Sequence, residues 1–252
     1  ANRWLRDDAL YEALSVEYGH LPWRQWPREG AGALDRELPA TGAAGAPRWQ
    51  ALARRHALLL ERHALIQYLL LEQHRAFRTR MEALGLKIYG DVQVGFSLCD
   101  TWSRQALLLR DYFMGAPPSR TNLEGQPWSY QVLDPALYLN AAGGPGPVLD
   151  FVAERLGKML AEFDGLRLDH PHGLVCPWVY RADDPDPFHA VQNGARLFSS
   201  PDLPDHPALA RHAIVRPEQL DRTRPRHADD WVRELTPAQE SRYALIMDAL
   251  MA

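Results

Sequence analysis

The sequence has little lysine, little cysteine and no long apolar run, and each shortage excludes a class of protein. Lys87 and Lys158 are the only lysines among 252 residues, so arginine supplies nearly all of the positive charge, and acidic residues still outnumber basic ones to give a formal net charge of −4. A basic surface for nucleic acid is therefore not expected. The two cysteines, Cys99 and Cys176, are far apart and match no metal-ligand spacing, which argues against a disulfide framework and against a metal site. We expect no metal and no cofactor.

No stretch of the chain reaches membrane-spanning length without charged residues, and the opening residues lack the apolar core of a signal peptide. We therefore expect no membrane partner and a cytoplasmic location. What the sequence does contain is enough apolar material, 46% of its residues, for a sizeable core.

Apolar residues at helical spacing predict helices over residues 4–18, 48–84, 148–163 and 236–250. Thr236-Pro-Ala-Gln239 is a capping box that marks the start of the last one. Within the second of these patterns, residues 58–71 are apolar on more than one face. We expect that part to be buried between neighbouring elements.

Only two segments are convincing strands, residues 86–94 and 165–169, and both contain glycine. Because helices connect them, the unit reads as strand, helices, strand, which implies a right-handed parallel crossover. A short helix is expected near residues 101–112.

Two segments rich in glycine, alanine or proline, residues 28–47 and 114–147, are expected to be loops. The longer one carries Trp128 and Tyr130. Loops of that length are usually functional or disordered, and the aromatic residues favour an ordered loop near a ligand.

The second strand ends in a charged pair, Arg167 and Asp169. Alternate residues of a strand share a face, so the guanidinium and the carboxylate are expected to point the same way. A neighbouring arginine favours the ionised carboxylate, and an ionised carboxylate at a strand end can serve as the covalent nucleophile of a glycosidase. The alternative is a purely structural ion pair.

Several stretches, taken in order, resemble the amylomaltase family, the 4-α-glucanotransferases or disproportionating enzymes. The segment around Arg167-Leu-Asp-His170 resembles that family's nucleophile signature. The other stretches that carry the resemblance are Trp4–Leu14, Trp23–Pro27, Ile66–Gln73, Ile88–Gly95, Cys99–Trp102, Gly115–Pro118 and Gly125–Trp128.

The resemblance implies an α/β fold, part of a (β/α)8 TIM barrel with large helical insertions. It implies a helical insertion subdomain at residues 1–84 and a barrel segment with two parallel strands and a substrate loop at 85–180. Residues 181–252 would be a loop-rich and helical segment leading to the next barrel strand.

The implied activity is retaining transfer of α-1,4-glucan segments between maltooligosaccharides through a covalent glucosyl-aspartate. By resemblance, Asp169 is the nucleophile and Arg167 orients it. The substrate-binding residues implied in the same way are Asp91, Trp102, Trp128 and His170.

The sequence departs from the family's usual pattern after Gly115–Pro118, where Ser119-Arg-Thr121 follows, and after His170, where Pro-His-Gly follows. The general acid that the family uses is expected to lie outside this chain, so residues 1–252 alone are expected to be inactive. The expected partner, apart from the glucan, is the remainder of the barrel or another copy of the chain. Two alternatives stay open: a trehalose-forming enzyme of the α-amylase superfamily, and a non-catalytic carbohydrate-binding or scaffold relative.

Overall fold

A computed structural model describes residues 3–251, with side chains from residue 4, and divides them into two compact units. The helical unit contains Ala1–Tyr89, Phe96–Ala106 and Glu162–Gly165. The sheet unit contains Gly90–Gly95, Leu107–Ala161 and Leu166–Ala252. Each is described separately.

Among its described residues, the helical unit has five α-helices. Helix α1 ends before Gly19, whose φ of +66° a residue with a side chain rarely adopts. The segment 28–47, expected to be a loop, is instead a helix followed by a 3-10 turn, since alanine and leucine outweigh the scattered glycines. The helices are α1 (Arg3–Glu17), α2 (Gly30–Glu37), α3 (Ala46–Arg55), α4 (Ala57–Ala83) and α5 (Leu98–Ser103).

Aromatic residues form the core of the helical unit. Trp26 stacks on Tyr11 with ring centroids 5.6 Å apart, and Trp23 donates its indole hydrogen to Thr101 Oγ1 at 3.0 Å. Both indole N–H groups find acceptors inside the protein, because Trp26 Nε1 bonds to the Leu21 carbonyl. The tryptophan-rich turn at residues 21–27 is therefore a core element.

Helix α4 is the largest departure from expectation in this unit. Its first half was expected to be buried, yet none of its residues is fully buried. Leu58 is 78% exposed and Tyr68 57% exposed. Apolar residues on several faces need partners on several sides, and within the described residues the helix packs mainly on α1 and α3.

The sheet unit is built on a four-stranded antiparallel sheet that the sequence analysis did not anticipate. Its order is β3-β2-β5-β6. Residues 108–116, expected to be helix and loop, form the central strand, and part of the expected 114–147 loop forms its neighbour. The strands are β2 (Leu108–Ala116), β3 (Gln126–Leu133), β5 (Trp178–Arg181) and β6 (Ala195–Arg196).

Two glycines make the β2–β3 hairpin possible. A Cβ on Gly115 would lie 2.2 Å from the Gln126 carbonyl oxygen, and one on Gly125 would lie 2.9 Å from the Ala116 carbonyl oxygen. Gly125 also has a φ of +71°. The two backbones approach so closely that a side chain at either position would force the strands apart.

A separate two-stranded sheet pairs β1 (Tyr89–Val92) with β4 (Gly165–Leu168), as the sequence predicted. The Asp164 amide donates to the Ile88 carbonyl and the Asp169 amide to the Val92 carbonyl. Since both partners advance together along the chain, the pair is parallel. The crossover helix is α6 (Pro147–Glu162), close to its expected range.

The rest of the sheet unit is mostly irregular, with short helices α7 (His172–Val175) and α8 (Pro187–Gln192). Helix α9 (Pro237–Met251) begins at the expected capping box, where the Gln239 amide and the Thr236 hydroxyl are hydrogen-bonded. Within residues 3–251, no helix combines the length and apolarity needed to cross a membrane.

Candidate active site

Strands β1 and β4 bring Asp91, Arg167 and Asp169 together. Arg167 Nε and Nη2 donate to the two carboxylate oxygens of Asp91 at 2.8 and 2.9 Å. Nη2 also donates to Asp169 Oδ1 at 3.1 Å. Neighbouring parallel strands place these side chains on one face, so a single guanidinium links two carboxylates that are 76 and 2 residues away from it in sequence.

The guanidinium engages Asp91 more fully than Asp169. Its two hydrogen bonds to Asp91, together with its charge, hold the pKa of that carboxyl below its usual range. Asp91 is therefore ionised at neutral pH and has no proton to donate. The sequence pattern predicts the Arg167–Asp169 pair, and in the structure Asp91 is the bidentate partner of the same guanidinium.

His170 follows Asp169 in a left-handed backbone conformation, with φ +51°. Its Nδ1 lies 3.0 Å from Asp169 Oδ2. Asp169 thus has Arg167 on one carboxylate oxygen and His170 on the other, while its backbone amide is held by the Val92 carbonyl. Positive φ is energetically unfavourable for a residue with a side chain. Such backbone strain is found disproportionately at functional sites.

Trp128 of β3 reaches this cluster through His170. The two rings meet edge to face with centroids 5.4 Å apart. The Trp128 indole nitrogen donates to Gln126 Oε1 at 2.8 Å, which fixes the ring about its own strand. The ring also lies 5.8 Å from that of Tyr130. A half-buried indole that lines a cavity is suited to stacking against a sugar ring.

A cavity of about 780 Å³ opens beside Trp128 within the sheet unit. Its volume suits a few sugar rings. Its lining contains apolar residues and hydrogen-bonding groups, among them Gly115, Pro117, Pro118, Arg120, His172 and Arg196.

Burial keeps the pKa of His172 below its usual value, and the nearby His170 and Arg196 lower it further. His227, on the same cavity, has its pKa lowered by burial and by Arg196 and Arg226. Both imidazoles are therefore neutral at pH 7. A neutral imidazole offers one donor and one acceptor, which matches the hydroxyl groups of a sugar.

Trp102 does not join the other five predicted site residues. It lies in the helical unit, is 1% exposed, and donates its indole hydrogen to the Asp35 carbonyl at 3.1 Å. Its ring packs against those of Tyr11 and Trp26. A tryptophan buried on all sides cannot present a face to a ligand, so in this structure Trp102 is a core residue.

The predicted site does not include the cavity residues Arg120, His172 and Arg196. Arg120 lies in the stretch 114–147, which reads as a loop, and Arg196 lies in the loop-rich segment 181–252. His172 belongs to the Pro-His-Gly stretch, which from the sequence is only a departure from the family pattern. One signal was available: Gly115–Pro118 and Gly125 enclose a short polar turn between apolar runs, which is a hairpin pattern. Within residues 4–251, no group of three or more His, Cys, Asp or Glu side chains is arranged to hold a metal ion.

Comparison with known proteins accounts for this combination of elements. A family sequence model described as "4-alpha-glucanotransferase" matches residues 1–244. The chain belongs to the 4-alpha-glucanotransferase family. The resemblance found in the sequence motifs is thereby confirmed over nearly the whole chain.

Two family relatives show how much of such a protein the chain represents. The 4-alpha-glucanotransferase of Thermus thermophilus is 30% identical over 190 residues, covering 72% of this chain and 35% of the relative. The chloroplastic/amyloplastic 4-alpha-glucanotransferase of Oryza sativa subsp. japonica is 26% identical over 184 residues, covering 70% and 28%. The chain spans about a third of the length of these relatives.

A solved structure of the family has the same fold. The amylomaltase from Streptococcus agalactiae in complex with acarbose superimposes with a TM-score of 0.61 at 17% identity, covering 77% of this chain and 37% of that one. The predicted fold class is therefore confirmed: the chain is α/β and forms part of a (β/α)8 barrel with large helical insertions.

Proposed function

We propose that this chain carries the nucleophile and a sugar-binding wall of an enzyme that transfers α-1,4-glucan segments between maltooligosaccharides. The observation that supports it is the cluster at the ends of β1 and β4, where Arg167 links Asp91 and Asp169 and where Trp128 reaches the same cluster through His170. Family membership supplies the chemistry that this cluster would perform.

In the proposed reaction, one Asp169 carboxylate oxygen attacks the anomeric carbon of the donor sugar. The glycosidic bond breaks, and the leaving 4-oxygen takes a proton from a general acid. The 4-hydroxyl of an acceptor sugar then attacks the same carbon, releases Asp169 and returns a proton to the acid. Two displacements at one carbon retain the α configuration.

The cluster of Asp91, Arg167, Asp169 and His170 contains no glutamate. Its members are linked by hydrogen bonds and ion pairs, the Asp169 amide donates to the Val92 carbonyl, and the His170 ring packs against Trp128. Asp91 is held ionised, so it cannot supply the proton. We therefore assign the general acid to a part of the enzyme outside residues 1–252, consistent with the third of the relatives' length that the chain spans.

We further propose that residues 1–84 form the helical insertion, residues 85–180 the barrel segment with its substrate loop, and residues 181–252 the connection toward the next barrel strand. The exposed apolar residues of α4 would then pack against the remainder of the barrel or against another copy of the chain. The proposed substrate, a maltooligosaccharide, and the proposed location, the cytoplasm, follow from the same assignment.

The test compares two proteins with maltotriose as substrate: residues 1–252, with mass verified, and the longest reading frame that contains them. The longer protein should release glucose and form longer maltooligosaccharides, while residues 1–252 should release none. If the longer protein does not transfer glucosyl units, the proposed function is wrong. Turnover by residues 1–252 would show that a general acid lies within this chain.

A further inference from the structure

The strand that carries Trp128 is interrupted beside it. In the β2–β3 ladder, Met114 pairs with Tyr130 and Ala116 pairs with Gln126. Two steps along β2 therefore correspond to four steps along β3, so β3 has two extra residues between these pairs. Such a bulge bends the strand and redirects its side chains, and bulges are frequent next to active sites.

Ser129 lies in this bulge and has a strained backbone conformation. Its φ is +57°, the left-handed region, where a residue with a Cβ is disfavoured. Only three residues other than glycine have positive φ in the described chain, and two of them, Ser129 and His170, belong to the Trp128–His170 contact or adjoin it. A strained serine persists only where surrounding groups hold it.

Tyr180 is the group that holds it. Its hydroxyl oxygen accepts a hydrogen bond from the Ser129 backbone N–H at 2.8 Å. Tyr180 lies on β5 opposite Phe113, so its side chain reaches across the central strand β2 to the bulge on β3. Its side chain is only 2% exposed, and burial raises the pKa of its phenol, so the hydroxyl stays protonated.

Gly115 on the central strand β2 lies close to both Trp128 and Tyr180. A Cβ there would lie 3.2 Å from the Trp128 amide nitrogen and 3.2 Å from Tyr180 Cε1, besides its clash with Gln126. The absence of a side chain at Gly115 allows the bulge and the Tyr180 ring to meet. The tyrosine therefore contacts the strained residue that directly follows Trp128 in β3.

We propose that Tyr180 is a positioning residue for sugar binding: by accepting the Ser129 N–H, it stabilises the left-handed bulge and so aims the Trp128 indole toward His170 and the adjoining cavity. The sugar contact itself rests on the proposed function. The positioning effect does not, because it concerns the unliganded indole.

The experiment uses the chain with its tryptophans labelled with ¹⁵N and follows the indole N–H signal of Trp128, assigned by its loss in Trp128→Phe. Tyr180→Phe keeps the ring and removes the hydroxyl. We expect it to move the Trp128 signal in the free protein and to weaken maltotriose binding about fivefold, the effect of losing one hydrogen bond.

Rescue separates positioning from general damage. Glycine adopts positive φ without help, so Ser129→Gly in the Tyr180→Phe background should return the Trp128 signal and the affinity to within about twofold of the original. Tyr112→Phe is the matched control, because Tyr112 is also a buried tyrosine of this sheet but its hydroxyl contacts His206. It should leave the Trp128 signal in place.

An unchanged Trp128 signal in folded Tyr180→Phe protein would overturn the proposal, as would an equal shift in Tyr112→Phe or a double variant that is not rescued. If Tyr180→Phe does not fold, Ser129→Val with Tyr180 intact takes its place. A β-branched residue resists positive φ, so the same signal must move, and an unmoved signal counts against the proposal. If maltotriose leaves Trp128 undisturbed in the unmodified chain, the proposed function fails at this residue, while the free-protein signals still decide the positioning role.

Discussion

Trp102 and Trp128 are both tryptophans of family motifs, and the two units use them in opposite ways. In the helical unit, Trp102 is sealed among aromatic rings with its indole hydrogen on a backbone carbonyl. In the sheet unit, Trp128 stands half-exposed on a strained bulge beside charged side chains. A motif thus identifies a residue worth examining, but its surroundings decide whether it packs or binds.

The same contrast extends to charge. The buried carboxylate of the helical unit, Asp35, accepts two hydrogen bonds from Arg48 and one from the Tyr18 hydroxyl. That arrangement satisfies the carboxylate within the protein. In the sheet unit, Asp91, Arg167 and Asp169 are ion-paired yet open to solvent, so a ligand can reach them. We expect substitutions in the helical unit to change stability and those in the cluster to change activity.

The largest expected effect is that of Asp169→Asn in the longer protein that contains this chain. The change removes the nucleophilic charge but little volume, so transfer from maltotriose should fall by at least about a thousandfold with folding nearly unchanged. Asp183→Asn is the matched control, because Asp183 is a carboxylate of the same unit bonded by Arg181 and is not part of the cluster. Undiminished transfer by the Asp169→Asn protein would remove Asp169 from the reaction.

Trp102→Ala should produce the largest loss of stability. Removing a fully buried indole leaves a cavity and an unpaired Asp35 carbonyl, at a cost of about 3–5 kcal/mol in the free energy of unfolding. Urea denaturation followed by circular dichroism measures it. A loss below about 1 kcal/mol, or a specific loss of maltotriose binding in a protein of normal stability, would return Trp102 to the substrate-binding residues.

Trp128→Ala should give the opposite result. We expect maltotriose binding to weaken about tenfold, through loss of the stacking face, with a change in unfolding free energy of less than about 1 kcal/mol. Calorimetric titration and urea denaturation of the same preparation compare the two quantities. Equal affinity in both proteins would make Trp128 a packing residue like Trp102.

Helix α4 offers a smaller effect and a test inside the helical unit. Leu58 is 78% exposed, so Leu58→Gln should change the unfolding free energy of this chain by no more than about 0.5 kcal/mol. Leu14 on α1 is fully buried, and Leu14→Ala should cost about 2.7–5 kcal/mol. In the longer protein, a cost of more than about 1 kcal/mol for Leu58→Gln would show that this face is covered there.

The smallest effect concerns the pKa of Asp91. Because Arg167 lowers it, Asp91 should titrate below the ordinary value of 3.8 in the folded protein. A depressed pKa stabilises the fold above the unfolded pKa, and that contribution is lost as the pH falls through the folded pKa. Carboxyl ¹³C NMR should show the low midpoint, and Arg167→Gln should raise it. An unaltered midpoint in Arg167→Gln would mean that the Arg167–Asp91 pair does not persist in solution.

Local patterns were reliable wherever neighbours in sequence are also the deciding neighbours in space. The helices near residues 4–18, 148–163 and 236–250 follow from apolar spacing and end signals, and the Thr236–Gln239 box forms its expected hydrogen bonds. The β1–β4 pair followed from short apolar runs joined through a helix.

The antiparallel sheet could not be derived in the same way. Strand β2 lacks strict alternation because it is central and bulged, and β3 contains Pro127 and the strained Ser129. Both features are unfavourable for a strand in isolation and are offset only by partners, namely the β5 ladder and the Tyr180 hydroxyl. Residues 114–147 therefore read as a loop until their partners are present.

The sequence by itself determined which residue types could act, because Arg167 and Asp169 must share a face at a strand end whatever surrounds them. It also determined the family, through several motifs that follow one another in the family's order. The tertiary structure decided which residues meet. Asp91 accepts two hydrogen bonds from the Arg167 guanidinium, His170 contacts both Asp169 and Trp128, and Trp102 is buried. These outcomes depend on contacts between residues tens of positions apart, and local periodicity contains no information about such contacts.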